Sequence, residues 1–341
     1  MRFSCLLFLV ATPTLAADKL VLVAGGDKAN FKEPFGLDFL PDGSVVMVEY
    51  VGNKVTHIDK DGKVSTYAGT GQKGLADGTA DKAQFNGPHN LAVTKDGTIY
   101  VADSLNHVVR KIDPKSKVVS TIAGTGKKGF SGDGGPAKDA EFNMTFHVAL
   151  DREQKNLYVV DLANKRVRKI DLGTGIVTSV AGTGKAGIPM DDAKAAESTL
   201  VDPRACELDS KGRLYILERG GNALRVVEDG KIRTVVGTGK VGATGDNGPG
   251  TKATLNGPKI LWVDKNDDVL IADAENSLIR KYIAKDGTIV RIAGTGKKGA
   301  GELGGSPVET AIARPHGVAE GPDGTIWIVD SYNARVLKIV K

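Results

Sequence analysis

His89 and His316 each follow a proline, in the segments Pro88-His-Asn-Leu-Ala-Val and Pro315-His-Gly-Val-Ala. The matched place in four further segments holds Phe35, Phe146, Arg204 and Lys259. A neutral imidazole ligates a divalent metal, whereas a protonated one joins Arg and Lys in holding an anion. Histidine is scarce, with five in the chain, and a third, His147, directly follows Phe146. Two chemistries are therefore open. One is a zinc or calcium site built on His89, His316 and His147. The other is a cationic mouth of His89, Arg204, Lys259 and His316, suited to a carboxylate, phosphate or acidic sugar, with Trp262 available to stack on a sugar ring. Each residue also has a plainer reading: a histidine in a strand is commonly a satisfied core residue, and Trp262 can fill a wedge between packed sheets. The sequence shows no nucleophile–base pair, phosphate loop or Cys-rich zinc motif beside them.

These segments belong to a phrase that recurs along the chain. Its clearest copy runs Gly87-Pro-His-Asn-Leu-Ala-Val-Thr-Lys-Asp-Gly-Thr-Ile-Tyr-Val-Ala-Asp103, then Val108-Val-Arg-Lys-Ile112, then Ser120-Thr-Ile-Ala-Gly-Thr-Gly126. It reads as an inner strand (91–94), a turn at Asp96-Gly97, a second strand (99–102), a third (108–112) and an outer one. Four short antiparallel strands per repeat make one blade of a β-propeller. The acid closing the second strand recurs at Glu49, Asp103, Asp161, Glu218, Asp273 and Asp330, in steps of 54 to 58 residues, so an all-β, six-bladed propeller is expected. The last copy stops after its third strand, and Leu20-Val-Leu-Val-Ala-Gly25 matches the missing outer strand. An N-terminal strand closing the ring would remove an open sheet edge.

In such a ring the residue after each proline, or after the Thr145 that replaces it in blade 3, borders the central channel at the end that carries the blade-to-blade loops. Phe35, His89, Phe146, Arg204, Lys259 and His316 are expected to converge there. In blade 3 the register that sets Phe146 opposite His89 places His147 opposite Asn90, and a slip of one residue would turn it to the other side. The repeated acids, four of them with an Asn three residues on (Asn106, Asn164, Asn276, Asn333), read as turn chemistry, because a residue present in every blade serves the blade. Seven residues, 27–33, lead into blade 1, against 16 to 18 for the other blades, which predicts a notch in the rim there.

The phrase resembles the NHL repeat, and its long Ala-Gly-Thr-Gly loops look like the version found in bacterial secreted proteins. The resemblance covers residues 17–341 nearly throughout and implies a six-bladed propeller, in a family that includes binding platforms and enzymes. The Pro-His segments also look like the zinc-ligating segments of peptidylglycine amidating lyases, which implies ligand roles for His89 and His316; at the third such place stands Arg204. Lactonase-type propellers, which hold a divalent cation with Glu, Asn and Asp, imply Asp38, Asn90 and Glu207 as candidates.

The first residues, one Arg followed by an apolar run and Thr14-Leu-Ala16, read as a secretory leader over residues 1–16, cleaved to leave one domain over 17–341 in a periplasm or outside the cell. That leaves Cys206 as the one thiol, buried and unable to form an internal disulfide. The formal charge of +5, with Lys and Arg interspersed among acids, argues against nucleic-acid binding. Without a membrane span, a monomer is expected that binds an anionic small molecule, glycan or protein on its loop face. The alternative is a metal-dependent lyase or hydrolase working in the channel mouth.

Overall fold

The computed structural model describes residues 18–26 and 30–341. The expected leader and residues 27–29, part of the short stretch on which the predicted notch depends, lie outside that range.

Six antiparallel sheets of four principal strands form the ring. Among the described residues there is no α-helix, only single 3-10 turns, and no helix long and apolar enough to cross a membrane. In blades 1, 2 and 4 the inner strand starts at the proline, as in Pro88–Val93, and in blade 3 at Thr145 (Thr145–Leu150), earlier than the apolar pattern alone suggests; in blades 5 and 6 it starts later, at Leu261 and Gly317. The last blade combines Gly317–Glu320, Ile326–Asp330 and Arg335–Val340 with Lys19–Gly25 on its outside, paired antiparallel from Lys19↔Val340 to Gly25↔Arg335. The ring is thus closed by the N-terminal strand. Three sheets gain a two-residue outermost strand from the incoming loop, at Gly78–Thr79, Ala193–Lys194 and Gly248–Pro249.

Apolar residues run almost without break along the second strands, as in Val45-Val-Met-Val48 and Val269-Leu-Ile-Ala272, because each blade buries both faces against its neighbours. The core accordingly divides into six clusters, one between each pair of adjacent blades, including one between blades 6 and 1. The recurring glycine after the outer strand has a steric cause. Gly25, Gly69, Gly124, Gly182, Gly237 and Gly294 all have φ between 88° and 103°. A Cβ on any of them would lie 2.1–3.0 Å from a carbonyl oxygen of the turn leading into the third strand.

The repeated acids act as predicted in kind, with a wider reach. Asp103 accepts the Asn86 N–H at 2.7 Å and the Asn106 amide at 2.8 Å, so it fastens the incoming loop as well as its own turn. It also meets the fully buried Arg110 at 3.0 Å. Arg168, Arg225 and Arg280 face Asp161, Glu218 and Asp273 in the same way. In blades 1 and 4 the turn asparagines move one place on. Asn53 and Asn222 occupy the left-handed position that Asn tolerates, and each accepts an N–H of the next blade, from Gly87 and Gly257.

Candidate functional site

In blades 1 to 4 a bulge at the start of the inner strand, between Pro88 and Asn90 in blade 2 for example, turns the intervening side chain toward the ring axis. There the side chains from six blades meet. His316 stacks on Phe35 with ring centroids 4.2 Å apart, Phe35 lies 5.0 Å from His89, His89 lies 3.8 Å from Phe146, and the Arg204 guanidinium sits 3.9 Å above Phe146. Lys259 completes the circuit. The expected convergence is therefore present, but as a plug and not as an open mouth: His89 is 0% exposed, Lys259 1% and His316 4%. Six large side chains fill a bore whose walls are pressed together at Gly36 and Gly317, where a Cβ would come within 2.9 Å of Asn90 and 2.6 Å of the Phe35 carbonyl oxygen.

Burial alters the electrostatics predicted for this ring. It pushes both His89 and His316 well below the usual imidazole range, with Arg204 and Lys259 respectively adding to the effect, so both are neutral at physiological pH. The positive charge comes instead from Arg204 and Lys259. Burial brings Arg204 down to about 10 with Arg219 next among the causes, and Lys259 down to about 8 with Arg204, Arg219 and Arg314 contributing. Above the plug, Glu275 meets Lys259 at 3.3 Å and Arg314 at 2.6 Å. Arg314 also donates to the Tyr332 hydroxyl, and the Tyr332 ring lies 6.3 Å from His316. Tyr50 stacks on Phe35 at 5.1 Å. Arg219, Glu275, Arg314, Tyr332 and Tyr50 were not singled out in the sequence. Comparing the two residues after the second-strand acid across blades would have found four of them, since that place varies (Tyr50, Arg219, Glu275, Tyr332) while the acid does not.

The remaining candidates lie elsewhere. His147 takes the Asn90 place, as the register predicted, and faces the channel beneath the plug, where it lines a cavity with Asp38, Asn90, Glu207 and Trp262. Trp262 is thus separated from the ring and packs against the cores on either side of blade 6. His57 bonds Ser44, and His107 accepts the Met144 N–H at 3.0 Å. Cys206 is buried among apolar neighbours, which pushes its thiol up and away from reactivity.

A metal fits this arrangement poorly. Phe35 stands between His316 and His89, so the two imidazoles cannot share an ion, and His147 points into the space below. Among the described residues no group of three or more His, Cys, Asp or Glu is placed to hold a metal.

Comparison with known proteins follows the same lines. The family model of the teneurin NHL domain matches residues 64–243, and that of the NHL repeat matches 313–339. NHL repeat-containing protein 2 of Bos taurus is 25% identical over 334 residues, covering 86% of this chain and 46% of that protein. The chain thus spans less than half the length of this relative. An auxiliary nutrient binding protein from Bacteroides thetaiotaomicron superposes with a TM-score of 0.70 at 16% identity, over 95% of this chain and 76% of that one. Virginiamycin B lyase from Staphylococcus aureus does so with a TM-score of 0.57 at 16% identity, over 95% and 99%. At such identities the structural likenesses speak for the fold alone.

Proposed function

The chain belongs to the NHL-repeat family of propellers, in its teneurin-type form, and on that premise we propose that its loop end is a non-catalytic recognition surface for an anionic partner. The partner class is a carboxylated or sulfated small molecule, an acidic glycan or an acidic protein segment. The leader-like residues 1–16 support placing this recognition outside the cytoplasm.

One observation carries the reading. Arg204, Arg219, Lys259 and Arg314 lie close together in and above the plug; Arg204 and Lys259 are lowered first by burial and then by their cationic neighbours, and Glu275 is the carboxylate that bridges Lys259 and Arg314. A fold does not gather like charges in and above a closed aromatic floor for its own stability. An anion seated on them would relieve the repulsion and form charge-assisted hydrogen bonds. Tyr50, Tyr332 and the edge of the plug add flat surfaces for a ring or a planar carboxylate.

The test is calorimetric titration with citrate and with dextran sulfate at low ionic strength. Binding should weaken as salt rises and fall tenfold or more in the double variant Arg204→Ala, Arg219→Ala, whose folding is checked by circular dichroism. Absence of saturable binding to either probe would sink the proposal, as would equal binding by the variant.

A further inference from the structure

We infer that the opposite end of the same channel, where the turns between first and second strands lie, is a separate binding site that takes a small protonated primary amine. The inference is independent of the loop-end reading. A cavity of about 220 Å³ runs up from this end to the underside of the plug. At roughly 30 Å³ per water it has room for about seven waters, or for one small organic molecule.

Its polar groups differ in how far they are already used. Inner strands present an unpaired edge to the channel, and two of the side chains cover it. Asp38 accepts the N–H groups of Phe39 and of Val93 in the next blade, both at 2.7 Å. Asn90 Oδ1 accepts that of Val148 at 3.0 Å. Glu207, in the blade diametrically opposite Asp38, covers no neighbouring strand, and its single bond is to the N–H of the adjacent Leu208, at 3.3 Å. His147 lines the same cavity at 2% exposure, and its Nδ1 has no hydrogen-bond partner among the described residues.

The electrostatics favour a cation. Burial raises Asp38 to about 7 and Glu207 to about 8, the Asp38 charge adding to the second, and no cation is among the causes for either. Burial also holds His147 unprotonated, down to about 3, so it is an acceptor and not a competing charge. An ammonium group has three donors; Glu207 is the acceptor least used within the protein, and Asp38 and His147, from two further blades, line the same cavity. Trp262 supplies an aromatic wall for the ammonium or its carbon chain. Arg152, exposed in the hairpin turn of blade 3, stands at the outer part of the lining, where it would meet a carboxylate carried by the same ligand.

The experiment titrates the full chain at neutral pH with n-butylammonium, tetramethylammonium and calcium chloride, against sodium chloride. The expected result is one saturable butylammonium site per chain, bound at least tenfold more weakly by Glu207→Gln and by Trp262→Leu. Tetramethylammonium, which has no donor, should bind more weakly than butylammonium. Lack of saturable amine binding overturns the inference. So does undiminished binding in a folded Glu207→Gln or Trp262→Leu chain, or a preference for calcium.

Discussion

The two ends of the central channel are made from the same six inner strands, yet they differ in every physical respect. At the loop end, the place after the proline carries Phe35, His89, Phe146, Arg204, Lys259 and His316, which stack into a closed and basic floor. Three residues further along those strands, Asp38, Glu207 and Trp262 line an open cavity whose charge is acidic. The contrast teaches where a repeat protein keeps its individuality. Glycines held at positive φ and the buried acids occur in all six blades because each blade needs them to turn and to hold the next loop. Places that vary between blades are free of that duty.

The largest effect is expected where the two ends are separated. Phe35→Ala removes the ring that lies between His316 and His89, and should cost about 3–5 kcal/mol in urea unfolding, as for other buried Phe truncations. A loss under about 1 kcal/mol would mean that the plug is not packed.

Next comes pH. Asp38 and Glu207 have folded values of about 7 and about 8, above their ordinary values of 3.8 and 4.5. The folded chain therefore binds more protons than the unfolded one between these limits, and their contribution to stability is full at low pH and lost as pH rises through 7 and 8. Unfolding free energies at pH 5 and pH 8 should show Glu207→Gln to be the flatter of the two, with the unaltered chain declining by about 6 kcal/mol from these two groups together. Parallel profiles would place the acidic character of the open end somewhere other than Glu207.

The smallest effect concerns the stacked cation. Arg204→Lys keeps the charge at the loop end but loses the flat guanidinium over Phe146, so stability should fall by only about 0.5–1 kcal/mol while citrate is still bound. Loss of citrate binding equal to that of Arg204→Ala would show that geometry, and not charge, decides recognition there.

Much of this was legible in the sequence, and what was not has physical reasons. Six copies of a phrase with Asp-Gly turns and Gly-Thr-Gly ends predict the propeller, and Leu20–Gly25 predicts how it closes. Phrase position alone predicts that His89 and His316 share a ring with Arg204 and Lys259. It cannot predict whether six side chains line a hole or fill it, since that depends on bore width and rotamers. Because the ring is filled, the histidines lose their charge and the expected four-cation mouth becomes Arg204 and Lys259 with Arg219 and Arg314. Arg110, Arg168, Arg225 and Arg280 recur in third strands, yet an alternating basic residue reads as solvent-facing, and only the structure reveals each buried beside its acid. Glu207 and His147 were visible as inner-strand residues, but nothing in one chain's order says that they look into the same cavity from different blades.

The central claim is that the crowded cations at the loop end await an anion, and Lys259 is its most direct reporter. Its Nζ can be followed by NMR in lysine-labelled protein, titrated with and without saturating citrate. The account predicts a pKa near 8 in the free chain, moving up toward the ordinary 10.5 when the anion is bound. A Lys259 that titrates near 10.5 in the free chain, or one whose pKa citrate leaves in place, would contradict it.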